Sequence, residues 1–62
     1  MTITQVEALE HAAFEAVLAL VSGRWSQRKA RAAAAAIRMW KETCLEAGYR
    51  VPDRWWSCYE VA

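Results

Sequence analysis

"SGRWSQRKAR", residues 22–31, decides the fold of this chain because it separates two long stretches with helical spacing. Gly23 suits the end of the first helix, and Ser26 suits the cap of the next one. The link between the helices is short, so the two must lie side by side and antiparallel. The sequence therefore predicts a helical hairpin that turns at this stretch.

The first predicted helix covers residues 4–22. Thr4 and Glu7 have the spacing of a capping box, in which the side chains at both positions satisfy backbone N–H groups. Gly23 is expected to take the left-handed conformation that follows many helix ends. Apolar residues recur every three or four positions along this helix, at Val6, Leu9, Ala13, Val17 and Leu20.

The second predicted helix covers residues 26–47, and Gly48 is expected to end it. The alanine run at 32–36 favours a helix and lets a neighbouring helix approach closely. Trp40 lies within the apolar seam and is predicted to be a core residue. The seam alternates spacings of three and four residues through Ala30, Ala33, Ile37, Trp40, Cys44 and Ala47.

The remaining residues predict either a short C-terminal helix or an extended, packed arm. Pro52 suits a first helical position, and Val51, Trp55, Tyr59 and Ala62 would share one face of an α-helix. Two amphipathic helices cannot enclose a core alone, so the tail, a second copy, or both must close it. We expect an all-α fold, one domain over residues 1–62, and a homodimer that forms a bundle of four long helices.

Composition excludes several classes of protein. With 62 residues, 56% of them hydrophobic, and four tryptophans, the chain is not disordered. Two cysteines are too few for a disulfide-stapled fold. The acidic N-terminal segment is not a signal peptide, and no apolar run reaches the about 18 residues of a membrane span. We expect a complete cytoplasmic protein that begins at Met1 and does not bind a membrane.

The charges around the turn are cations at a helix N-terminus, where cations are unfavourable. A helix N-terminus carries partial positive charge and favours acids, yet Arg28, Lys29 and Arg31 follow Ser26. Arg24 adds a fourth cation, and no acid occurs between Glu15 and Glu42. These cations either bind an external anion, are solvated, or meet acids of a second copy.

Elsewhere, the hairpin predicts local partners for two cations. The antiparallel alignment places Glu7 at the level of Lys41, and Glu10 at the level of Arg38. Exposed pairs of this kind contribute only about 0–1 kcal/mol to stability.

The tryptophans outside the seam each allow two interpretations. Trp25 is expected to cap the core at the turn, and the alternative is that it stacks on a nucleic-acid base. Trp55 and Trp56 are adjacent, so a helix cannot point both into one pocket. Either one of them is an exposed interface anchor, or both lie over the open side of the hairpin.

Catalysis and metal binding have little support. His11 lies beside Glu7 and Glu15 at helical spacing, which is typical of a surface residue. Together with Cys44 and Cys58 it lacks the spacing of a zinc site. A helix-turn-helix motif is disfavoured because it requires an apolar residue where Lys29 stands. We expect no enzyme and no cofactor.

The sequence therefore predicts a small non-enzymatic regulator or inhibitor that binds an acidic surface of a larger protein. The alternatives are a dimer that binds DNA or RNA through the same cations, and a subunit whose features all serve self-assembly. The candidate partner-binding residues are the turn cations, Arg38 and three tryptophans: Arg24, Trp25, Arg28, Lys29, Arg31, Arg38, Trp55 and Trp56.

Overall fold

The computed structural model describes residues 3–60, which fold as an antiparallel helical hairpin with a short C-terminal helix packed on it. Helix α1 spans Ile3–Val21 and helix α2 spans Gln27–Glu46. A 3₁₀ helix, η1, spans Trp55–Glu60. The predicted hairpin is confirmed, and each α-helix begins and ends within one residue of its predicted bounds.

The link between α1 and α2 differs in detail from the prediction. Ser26 caps α2 with extended backbone (φ −143°, ψ 135°), and its carbonyl accepts the Ala30 N–H at 2.9 Å. The Ser26 hydroxyl makes no capping hydrogen bond. Gly23 does not take the left-handed conformation predicted for it. Thr4 lies inside α1, one residue past its start, so it is not the cap of that helix.

Helix α2 ends just before Gly48, which is the predicted stop and has a φ of +81°. The Tyr49 N–H donates to the Cys44 carbonyl at 2.9 Å, and the Gly48 N–H donates to the Leu45 carbonyl at 3.1 Å. These two bonds form a Schellman motif, which satisfies carbonyls that the end of a helix leaves unpaired. The motif turns the chain back so that the tail crosses the hairpin.

The core lies between the two α-helices and is closed by side chains of η1, of which Trp56 is buried. Trp40 is completely buried, which confirms its predicted place in the seam. Ala33 and Ala34 are also buried, so the small-residue side of α2 packs against elements of its own chain. The main core cluster consists of Val6, Ala13, Val17, Leu20, Ala33, Ile37, Trp40, Cys44 and Trp56.

The C-terminal helix forms, but its buried face is not the predicted one. The prediction grouped Val51, Trp55 and Tyr59 on one face of an α-helix, with Ala62, which lies outside the described residues. A 3₁₀ helix has three residues per turn, so residues three apart share a face. Trp56 and Tyr59 accordingly pack on the core, whereas Trp55 is 62% exposed.

Two ion pairs hold the tail on the hairpin. Lys41 Nζ lies 2.6 Å from the Glu60 carboxylate, and Arg54 Nε lies 2.7 Å from the Glu10 carboxylate. These partners replace the predicted pairs of Glu7 with Lys41 and Glu10 with Arg38. The tail folds back across both helices and brings its own charges closer than those of the opposite helix.

The molecule is about one hairpin thick, with principal extents of 36 × 18 × 18 Å. The solvent faces of α1 and α2 are therefore uncovered by the rest of residues 3–60. Neither described α-helix combines the length and the apolar composition needed to cross a bilayer. The structure contains one copy of the chain, and the predicted homodimer stays a prediction.

Candidate interaction surfaces

Five exposed residues lie in the link after Gly23 and in the first turns of α2, and we call them the basic turn. Lys29 folds back over the link, since its Nζ lies 3.7 Å from the position a Cβ on Gly23 would occupy. All five side chains are exposed, and the indole among them is 68% exposed. The basic turn consists of Arg24, Trp25, Arg28, Lys29 and Arg31.

The cations of the basic turn have no intramolecular partner within residues 3–60. None of them makes an ion pair or a side-chain hydrogen bond there, in contrast to Lys41 and Arg54. The first turn of α2 carries no acid that would offset its positive end. The charge at this end of the molecule is therefore available to an external anion.

Trp25 does not cap the core, so the favoured prediction for it was wrong. Leu20 is almost fully buried, and Ala30 packs on the same cluster. These two side chains lie on the core near the turn, whereas Trp25 is not part of the core cluster. Trp25 is instead 68% exposed, and the alternative interpretation, stacking on a nucleic-acid base, stays a prediction.

Arg38 lies away from the turn on the exposed face of α2. It stands seven residues after Arg31, which corresponds to two helical turns and about 10 Å along the axis. Arg38 makes no ion pair or side-chain hydrogen bond with residues 3–60. The basic surface thus continues along α2 as far as Glu42, where the sign of the charge changes.

The two adjacent tail tryptophans have opposite environments. Trp56 is 3% exposed, and its ring centroid lies 4.9 Å from that of Trp40 and 6.2 Å from that of Phe14. Trp55 packs edge-on against Phe14, at 6.3 Å and 85° between ring planes, and its outer surface is free. Trp56 is therefore a core residue and drops out of the candidate binding surface, whereas Trp55 stays in it.

A second surface, which the sequence analysis did not identify, lies along α1 beside Trp55. It contains an open pocket of about 230 Å³ lined by Glu7, Glu10, His11, Phe14 and Trp56. Glu10 already binds Arg54 at the rim. The signal in the sequence was the placement of three glutamates and a histidine on a helix without cations. We call the surface that carries Glu7, Glu10, His11 and Glu15 the acidic flank.

The cysteines show no sign of activation. Cys44 is 1% exposed, and burial raises the pKa of its thiol, with a smaller contribution in the same direction from the Glu10 carboxylate. The Cys58 thiol is exposed and donates to the Trp55 carbonyl at 3.4 Å. Within residues 3–60, no group of three histidine, cysteine, aspartate or glutamate side chains is arranged so that it could hold a metal ion.

Comparison of the chain with protein-family models, with curated proteins and with solved structures finds no match. A functional proposal therefore has to rest on the two surfaces just described.

Proposed function

We propose that this chain is a small non-enzymatic binding protein that regulates or inhibits a larger protein by docking on an acidic region of its surface. The observation that carries the proposal is the basic turn, which combines four unpaired cations with a tryptophan that is 68% exposed. Arginine and tryptophan are the residue types that most often dominate binding energy at protein interfaces. The cations would mainly speed association and fix orientation, and the indole would supply buried apolar area.

The acidic flank favours a protein partner over a nucleic acid. Trp55, the second exposed tryptophan, packs on Phe14, which also lines the pocket that contains Glu7 and Glu10. A protein surface can complement both signs of charge, whereas a nucleic acid presents one uniform sign and would be repelled by the flank. The net charge of +1 also gives little long-range attraction to a polyanion.

Direct binding of DNA or RNA is the second candidate function, and the exposure of Trp25 supports it. An indole among arginines can stack on an unpaired base while the guanidiniums contact phosphates. Such binding would weaken steeply as the salt concentration rises, because each phosphate contact releases counterions. This salt dependence separates the two candidates.

The test replaces Arg24 and Lys29 with glutamate in one variant and uses Arg50→Glu as the matched control. Arg50 is exposed and unpaired within residues 3–60, but it lies at the opposite end of α2. An acid at position 29 suits the first turn of α2, so the variant should fold. Far-UV circular dichroism verifies that it does.

A photo-crosslinking residue placed at position 25 identifies the partner, and one at position 50 gives the background. The purified partner should then lose about 10-fold or more in affinity for the Arg24/Lys29 variant and little for Arg50→Glu. Equal affinity for both variants would refute docking through the basic turn. Sub-micromolar, strongly salt-dependent binding of labelled duplex DNA or structured RNA would instead support the second candidate.

A further inference from the structure

The solvent face of α2 carries a second repeat that the hairpin does not use. Exposed residues follow one another along this face with spacings of four, three, four, three and four, as in a coiled-coil seam. Met39, near the middle, is 56% exposed although it is apolar. All six residues of this outer seam are exposed: Arg28, Ala32, Ala35, Met39, Glu42 and Glu46.

The outer seam is symmetric about the level of residue 37. Position 28 is as far before that level as position 46 is after it, and the same holds for 32 with 42 and for 35 with 39. The two ends of the seam carry opposite charges, Arg28 at one end and Glu46 at the other, whereas Glu42 lies opposite Ala32. A second copy of α2, placed antiparallel about a two-fold axis at residue 37, would therefore bring opposite charges together at both ends of this face.

We propose that two copies of this chain associate through the outer seams of their α2 helices, in antiparallel orientation. Arg28 of each copy then faces Glu46 of the other at both ends of the contact. Ala35 faces Met39 of the second copy at the centre, where the small alanine accepts the long methionine side chain. Arg31 lies beside the seam at nearly the level of Glu42 of the second copy and adds a further ion pair at each end.

Two observations favour a second, antiparallel copy of the chain as the partner of the outer seam. Arg28, Glu42 and Glu46 make no ion pair within residues 3–60, so all three charges are free to pair between copies. A parallel arrangement would place Arg28 against Arg28 and Glu46 against Glu46, which disfavours it. The antiparallel contact is isologous and closed, and it yields a dimer rather than a filament.

This interface differs from the one expected from the sequence alone. The apolar stripe of α1 and the side of α2 that carries Ala33 and Ile37 are packed against each other inside one hairpin, so they are not available to the four-helix dimer expected from the sequence. The basic turn keeps Arg24, Trp25 and Lys29 free at each end of the dimer. Self-association and docking on a partner can thus fail independently, and different variants test them.

The test is sedimentation equilibrium of the full chain from about 10 µM to about 1 mM, a range suited to the weak dimers expected of a contact this small. The expected result is a monomer–dimer equilibrium. Arg28→Glu alone and Glu46→Arg alone should each weaken the dimer by about 10-fold or more, since each reverses both symmetric pairs. Both substitutions suit the dipole of α2, so a loss of the dimer does not reflect unfolding.

Mixing the Arg28→Glu and Glu46→Arg variants is the decisive experiment. In a mixed dimer, the glutamate introduced at position 28 of one chain meets the arginine introduced at position 46 of the other, and the remaining pair is the native one. Equimolar mixing should therefore restore association to about the unsubstituted level. A chain that stays monomeric throughout the range, or variants that do not recover on mixing, would overturn the proposal.

Glu15→Arg, on the solvent face of α1, is the matched control that tests whether the dimer forms through α2 rather than α1. It should leave the dimer unchanged. A dimer broken by Glu15→Arg but not by Glu46→Arg would place the contact between the acidic flank and the basic turn, and would reject the outer seam.

Discussion

Trp56 should be the residue on which the stability of the tail depends, and its neighbour provides the control. Trp56→Ala removes a side chain that is 3% exposed and packed between Trp40 and Phe14. Trp55→Ala removes the same number of atoms one residue earlier, from a side chain that is 62% exposed. The pair thus compares burial directly, with composition and sequence position held nearly constant.

The expected loss for Trp56→Ala is about 3–5 kcal/mol, the range for large aromatic side chains truncated in a core. The whole chain should have a free energy of unfolding of roughly 3–9 kcal/mol, from about 0.05–0.15 kcal/mol per residue. The variant is therefore expected to be partly or wholly unfolded in buffer. Trp55→Ala loses mainly an edge contact with Phe14 and should cost about 1 kcal/mol or less.

The assay is urea unfolding followed by circular dichroism at 222 nm, because fluorescence would change with the loss of either indole. With a slope of about 1 kcal/mol per molar urea for a small domain, the two midpoints should differ by about 2 M or more. Trp56→Phe, which keeps an aromatic ring against Trp40, supplies a folded intermediate case. Midpoints of Trp56→Ala and Trp55→Ala that agree within about 0.5 M would refute the placement of Trp56 in the core.

Two further pairs of residues give matched predictions. Gly48→Ala should destabilise the chain by about 1–2 kcal/mol, because φ at Gly48 is +81°. Gly23→Ala should be neutral or slightly stabilising, because Gly23 has no positive φ. Thermal unfolding that ranks the two variants in the opposite order would contradict the assigned Schellman motif. Cys58 should react readily with a thiol reagent at pH 8 while Cys44 reacts only on unfolding, since Cys44 is buried and its pKa is raised. Mass spectrometry of the labelled peptides checks this, and equal labelling would argue against the buried thiol.

The helices could be predicted from the sequence because their signals are local. Gly48 after a helical pattern and the seam through Ile37 and Trp40 both report on the residues next to them. The same reasoning predicted the bounds of α1 and α2 within one residue. It also predicted the cations of the basic turn as one cluster, because they all lie in the short link or in the first turns of α2 directly after it.

The tail could not be predicted in the same way because its position depends on contacts distant in sequence. Glu60 pairs with Lys41 and Arg54 pairs with Glu10, and nothing near any of these residues signals the partner. The assignment of Trp55 and Trp56 turned on whether the tail is an α-helix or a 3₁₀ helix. Six residues carry too little periodicity to separate spacings of 3.6 and 3.0.

Trp25 shows how an expectation based on residue type fails at the end of a hairpin. Large aromatic residues are usually buried on average, but the core at the turn is already covered by Leu20 and Ala30. Trp25 stays outside this cluster and is 68% exposed. Which side chains cover the end of the core depends on how the two helices pack, and the composition of the turn does not reveal it.

The two proposals together restrict how a partner can be bound. In the proposed dimer, the first α2 residues of the two copies, Gln27, lie ten residues on either side of the two-fold level, which separates them by about 30 Å along the α2 axes, and Trp25 precedes each of them in the link. One contact surface of standard size cannot reach both tryptophans. The dimer should therefore bind two separate sites, on two partner molecules or on one symmetric partner. In the second arrangement, Glu46→Arg would weaken partner binding through the loss of bivalency alone, whereas the Arg24/Lys29 variant would weaken it at each site.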